Sequence, residues 1–226
     1  MTPWVRLGSS QIPQSKDELQ LWQRDKEFSI RVTGHDGDLM NSRMHHSEDQ
    51  LARLACAEIA NCLEPRMLIG GLGMGFTLRA ALDALPARAA VKVAELVPAV
   101  VDWNSGALGA CAGYPLRDPR VSVIVDDIAR VLRSEKSALD AILLDVDNGP
   151  DALTLRANSW LYSLEGLAAA RVSLRPRGVL AVWSVAADAA FTARLERSGF
   201  AARAVTVRAR PGKGARHVVW VAQRGA

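Results

Sequence analysis

The residues best suited to chemistry stand directly after short apolar runs. Met67–Ile69 is followed by Gly70-Gly71-Leu72-Gly73-Met74-Gly75, and a helical pattern opens at Phe76. Glycines there let the backbone turn tightly and let a ligand approach without meeting a Cβ. The spacing is G-x-G-x-G. A dinucleotide G-x-G-x-x-G would need glycine at Phe76, and the Gly-Lys-Ser/Thr ending of a P-loop is missing. The next run ends at Glu95, the third at Asp126-Asp127-Ile128, and the fourth at Asp145, with Asp147 and Asn148 in the loop beyond. Glu95 is placed to accept both hydroxyls of a ribose. Asp126, Asp127 and Ile128 suit the exocyclic amine and ring face of an adenine. Any one of these acids alone reads as a turn residue or helix N-cap. Four in succession beside a glycine loop read as an adenosyl pocket.

For these groups to converge, the apolar runs must be strands of one open sheet, because ligands bind outside the carboxyl ends of parallel strands. Strands are expected at Met67–Ile69, Val91–Ala94, Val121–Val125, Ala141–Leu144, Val179–Trp183, Arg203–Val207 and Val218–Val221. Helical patterns near 76–85, 98–104, 127–134, 158–174 and 188–197 alternate with them. The last two strands are joined by Arg208–Arg216, too short for a crossover helix, so they pair antiparallel. The expected fold class is α/β: a doubly wound, mostly parallel seven-stranded sheet with an antiparallel last strand.

Residues 1–64 read as an appendage to this 65–226 domain. Phe28, Ile30 and Val32 alternate with polar neighbours, and Gly34–Gly37 forms a turn before Leu39-Met40, which predicts a small β-hairpin. A helix over Ser47–Leu63 follows, opened by a Ser47/Gln50 capping box and ended by Pro65.

Composition narrows the function classes. The 226 residues suit one globular domain or one with a small appendage, and no apolar stretch approaches the ~20 residues of a bilayer span. The N-terminus lacks the apolar core of an export signal, and Cys56, Cys62 and Cys111 are odd in number without C-x-x-C spacing. A cytoplasmic protein with reduced thiols, no metal and no membrane partner is expected. Residues 171–226 carry 11 basic and 2 acidic groups, while residues 1–170 carry 17 and 22. The basic quarter hints at an anionic partner, but Arg208–His217 lacks interleaved aromatics, so a solvated hairpin connection is favoured over a nucleic-acid surface. His45 and His46 beside Glu48 read as a hydrogen-bonded pair at a helix entrance. Trp103, Trp160, Trp183 and Trp220 read as core packing.

The run Met67–Arg79, Glu95–Pro98, Asp118–Asp127 and Leu139–Pro150 resembles the class I S-adenosylmethionine-dependent methyltransferase fold and, within it, the spermidine/spermine synthase (polyamine aminopropyltransferase) branch. The likeness covers roughly residues 38–183. It implies that Gly71, Leu72, Gly73 and Gly75 wrap the adenosyl donor, that Glu95 binds its ribose, and that Asp126, Asp127 and Ile128 hold its adenine. Asp145 falls where the family places the carboxylate that deprotonates the attacking amine. His46, Asp147 and Asn148 fall at its amine-binding positions, with His46-Ser47-Glu48 standing where the family has Tyr-His-Glu and Asn148 where it has a second acid. The family's acid inside the glycine loop is missing from Leu72-Gly73-Met74. The resemblance implies transfer of an aminopropyl or other alkyl group from decarboxylated S-adenosylmethionine or S-adenosylmethionine to a small amine or polyamine, in a homodimer. A small-molecule methyltransferase and a non-catalytic adenosyl-binding protein remain open beside it.

Overall fold

A computed structural model describes residues 2–146 and 156–225. The chain opens with β1 (Val5–Gln11), β2 (Glu18–Arg24), β3 (Glu27–Val32), β4 (Met40–Asn41) and α1 (His46–Glu58). It continues through β5 (Arg66–Gly70), α2 (Phe76–Ala84), β6 (Ala90–Glu95), α3 (Pro98–Ser105), β7 (Val121–Val125), α4 (Ile128–Ser134) and β8 (Leu139–Leu144). It closes with α5 (Leu164–Ser173), β9 (Leu174–Ser184), α6 (Ala189–Arg197), β10 (Phe200–Arg210) and β11 (Lys213–Arg224).

Strands β5 to β11 form one seven-stranded sheet in the order β10-β11-β9-β8-β5-β6-β7. β5 to β9 run parallel, and β11 lies antiparallel between β9 and β10. From β5 the chain winds outward to β6 and β7, then returns to β8 on the other side. The crevice between the β5 and β8 ends is therefore the switch point, where an open sheet of this kind receives its ligand.

Alternation of side chains sorts each central strand between two cores. Met67, Ile69, Val91, Val93, Ala141, Leu143, Val179 and Ala181 face α1, α2 and α3. Leu68, Ile142, Leu144, Leu180, Val182 and Trp220 face α4, α5 and α6. Burial on both faces is why these strands read as continuous apolar runs instead of alternating ones.

The expected hairpin is present as β3 and β4, with Ile30 paired to Met40, but it belongs to a larger N-terminal sheet. It is a four-stranded antiparallel sheet, β1-β2-β3-β4. β1 is largely exposed, and its only apolar residues are Val5 and Leu7, too short an alternation to mark a strand. In β2, Leu19 and Leu21 are both buried. Those side chains join Phe28, Ile30 and Val32 in the same apolar cluster as Met67 and Val93 of the central sheet. Residues on both sides of position 64 thus share one core.

Three element boundaries also differ. α1 ends at Glu58, well before Pro65, and its start carries no side-chain cap: Ser47 donates instead to Glu48 Oε2 at 2.5 Å. The helix expected over 158–174 is a 3-10 turn, Arg156–Tyr162, and then α5, because Ser163 Oγ accepts from Gly166 N and restarts the helix there. β10 and β11 extend through the arginine-rich connection until only Pro211 and Gly212 separate them.

If the N-terminal sheet and the central sheet are one cooperative unit, Ile30→Ala destabilises the whole chain by about 2–5 kcal/mol, the cost of a large-to-small change in a core. Urea unfolding followed by circular dichroism and tryptophan fluorescence should show one shared transition at lower denaturant. Separate loss of the N-terminal sheet would contradict a common core.

Candidate active site

The β5 end sets the site. Gly71 N donates to Ala94 O of β6 and Asp145 N donates to Gly70 O, each at 2.9 Å, so three strand ends are tied together at the crevice. Gly71 has φ +87°, and a Cβ there would lie 2.3 Å from the Asp145 carbonyl oxygen. No side chain fits that approach. A Cβ at Gly70 would lie 2.9 Å from Ile128 Cγ1, which packs the next loop against the same place.

Glu95 at the end of β6 is buried, and both its carboxylate oxygens accept backbone hydrogens: Oε2 from Leu72 N and Oε1 from Val97 N, each at 2.9 Å. It thereby fastens the glycine loop to the turn that starts α3. Burial raises its pKa, and the backbone N–H groups offset only part of that rise. Asn104 of α3, fully buried, holds the loop from the other side by donating to Gly73 O at 2.9 Å.

After β7, Asp127 caps α4 by accepting from Ala129 N at 2.8 Å, and Asp126 accepts from Asp127 N and pairs with Arg130. After β8, Asp145 Oδ2 accepts from Thr77 Oγ1 of α2 at 2.5 Å. Burial pushes the Asp145 carboxyl up to about 6. Facing it is Glu48 in the first turn of α1, pushed up to about 7 by burial and by the charge of Asp145. The charge of Asp145 makes Glu48 the harder of the two to ionise.

Gly71, Gly73, Glu95, Asp126, Asp127, Ile128 and Asp145 line one cavity. Glu48 and Asp145 also border an adjoining recess under Leu72, Gly73 and Met74. Leu72 itself is buried and meets that recess, serving the main cavity through its N–H on Glu95. Gly75 caps α2 with φ +82° and does not line the cavity. His46 does not line it either. On a helix, residues two apart point about 200° away from each other, so with Glu48 facing inward His46 faces away. Asp147 and Asn148 lie outside the described residues. His45 bonds to Asp49 at 3.0 Å and stacks on Phe76, its partner being the aspartate and not His46.

Several lining residues carried no chemical signal in the sequence. Leu19, Ile30, Val32 and Met40 of the N-terminal sheet, with Ile12 just beyond β1, roof the cavity. Trp183, expected as core, lines its wall at the end of β9. Thr77 sits inside an ordinary helix pattern. Glu48 was legible only as the third member of His46-Ser47-Glu48. Among the described residues no cluster of three or more His, Cys, Asp or Glu is placed to hold a metal ion, and no helix is long and apolar enough to cross a membrane.

The facing carboxylates should leave a signature in stability. Their folded-state pKa values lie above the unfolded ones, so the native state binds extra protons, and stability is lost as pH rises through about 6 to 7. Glu48→Gln removes one charge. Its melting temperature should exceed that of the wild type at pH 8 and match it at pH 5. A variant less stable at both pH values would contradict the coupling.

No protein-family model matches the chain, and no curated protein matches its sequence. Solved structures do match its fold. A spermidine synthase in complex with the transition-state analogue AdoDATO superposes with TM-score 0.74 at 18% identity, over 97% of this chain and 72% of that one. Spermidine synthase from Thermotoga maritima gives TM-score 0.74 at 18% identity over 97% and 73%. A probable spermidine synthase from Corynebacterium glutamicum ATCC 13032 gives 0.65 at 17% over 96% and 79%. The fold of this chain, with its N-terminal antiparallel sheet and seven-stranded central sheet, is that of the spermidine synthases.

Proposed function

We propose that this chain is an alkyltransferase, moving an aminopropyl or other alkyl group from decarboxylated S-adenosylmethionine or S-adenosylmethionine to a small amine. The observation that carries the reading is Asp145: a carboxylate of raised proton affinity held by Thr77 at the lip of the glycine loop. The surroundings fit an adenosyl donor. The glycine loop offers backbone without Cβ atoms, Ile128 offers an apolar face, and Glu95, Asp126 and Asp127 offer acceptors for hydroxyls and an amine.

An ammonium has no lone pair, so the acceptor amine must lose a proton before it attacks. Asp145 takes that proton. The nitrogen then forms its bond to the donor carbon in line with the breaking carbon–sulfur bond, and the electron pair stays on sulfur, leaving a neutral thioether. The chain's contribution is to orient the two reactants and to surround two cations with carboxylates. Methyl transfer in the same cavity is the second reading. It uses the same adenosyl pocket, and Leu72-Gly73-Met74 leaves the donor's amino end without an acid in both readings alike.

The by-product separates the readings. With a panel of amines, mass spectrometry should detect 5′-methylthioadenosine; S-adenosylhomocysteine would mark methyl transfer. Neither product, with adenosyl ligands still bound, would mark a non-catalytic binder. Asp145→Asn should abolish turnover and leave adenosyl affinity within about 3-fold, which is under ~0.7 kcal/mol. In the wild type kcat/KM should fall as pH drops through about 6, where Asp145 takes its proton.

Glu95→Ala tests the donor pocket independently. Losing a charged acceptor for the ribose hydroxyls should weaken adenosyl binding by about 1.5–3 kcal/mol, measured by calorimetry. Unchanged affinity would contradict the assignment.

A further inference from the structure

Glu48 has no part in the reaction as derived so far, although its placement is specific. It reaches the site from α1, an element that precedes the central sheet in sequence, while Asp145 reaches it from the end of β8. Both line the main cavity, and both border the recess under the glycine loop. Each is held by its own hydroxyl at 2.5 Å, Glu48 by Ser47 and Asp145 by Thr77. Serine 47 is fully buried and Thr77 nearly so, so neither clamp is a solvated surface contact. Among the described residues, the other ionisable groups near Glu48 are few. His45 on the same helix offsets part of its charge and is itself engaged by Asp49, while α2 presents the Thr77 hydroxyl and β4 the neutral Asn41.

We propose that Glu48 is a positioning residue that acts through Asp145: a second carboxylate set against the first in one recess makes Asp145 a stronger proton acceptor for the incoming amine. The inference rests on the alkyl-transfer reading given above. An ordinary aspartate is a poor base toward an ammonium, because its proton affinity is far below that of an amine. Placing a like charge beside it in a water-poor recess narrows that gap. Burial raises Asp145, and burial and then the charge of Asp145 raise Glu48, so the two carboxylates interact across the recess, and a like-charge interaction acts on both partners. The proton removed from the ammonium stays on the carboxylate pair until the alkylated amine leaves, and no further reactant is needed.

Two variants shift the base in opposite directions. Glu48→Gln keeps the shape and removes the neighbouring charge, so the acid limb of the kcat/KM profile should move down by half a pH unit or more while kcat falls at least 5-fold. Thr77→Val removes a hydrogen bond that favours the ionised form of Asp145, so the same limb should move up. Glu48→Asp should recover part of kcat and part of the limb's position. A general structural disturbance would not move the two limbs in opposite directions. A fall in kcat with an unmoved limb in Glu48→Gln, or a weaker donor affinity alone, would overturn the proposal. Carbon-13 NMR of the Asp145 carboxyl in ligand-free protein reads the same coupling without turnover. Its titration should shift down in Glu48→Gln, so absent transfer activity with a shifted titration faults the reaction, and an unshifted titration faults Glu48.

Discussion

The site depends on one close approach of backbone to backbone. Where β5 ends, Gly71 lies against the Asp145 carbonyl so tightly that a Cβ would sit 2.3 Å from that oxygen. The contact fixes the loop after β8 relative to the loop after β5, and it does so at the switch point, where the sheet's winding reverses. Everything else is referred to that contact. Glu95 takes the loop's amide hydrogens because the loop turns there, Thr77 meets Asp145 because α2 starts just beyond it, and Ile128 closes over Gly70. Buried polar atoms of this kind are tolerable only when paired, and Glu95 has both oxygens occupied by N–H donors.

The N-terminal sheet completes the enclosure. Its buried face runs from Met40 across Ile30 to Leu21, paired strand to strand, and the neighbouring Val32 and Leu19 continue it over the cavity. An apolar roof lowers the local dielectric. That is the physical origin of the raised carboxylates beneath it, since burial is the first cause of the shift at both Glu48 and Asp145.

Much of the central sheet was legible because it is buried on both faces: such strands announce themselves as β-branched runs, and the acids after them fall in register. The glycine loop, Glu95, Asp126, Asp127 and Asp145 were placed together from that logic alone. The N-terminal sheet was harder, because β1 is exposed and β4 is only Met40 and Asn41. Glu48 escaped for a different reason. In the sequence it belongs to a helix start, and Ser47 beside it looks like a cap; only the fold reveals that the Ser47 hydroxyl turns to Glu48 and that Glu48 borders the same recess as Asp145. Periodicity identifies which face of a helix is apolar, but it carries no information on which charged residue will meet a strand end 97 positions away. Trp183 illustrates the converse, an aromatic in a core-like strand whose ring reaches the cavity because it stands at the strand's carboxyl end.

The central claim is that this crevice receives an adenosyl donor in a single orientation set by the strand ends. A crystal structure with 5′-methylthioadenosine tests it most directly. The account predicts the ribose hydroxyls within hydrogen-bond distance of Glu95, the adenine against Ile128 with its amine toward Asp126 or Asp127, and the sulfur beside Asp145. A nucleoside bound elsewhere, or bound in the crevice with its sulfur turned away from Asp145, would contradict it.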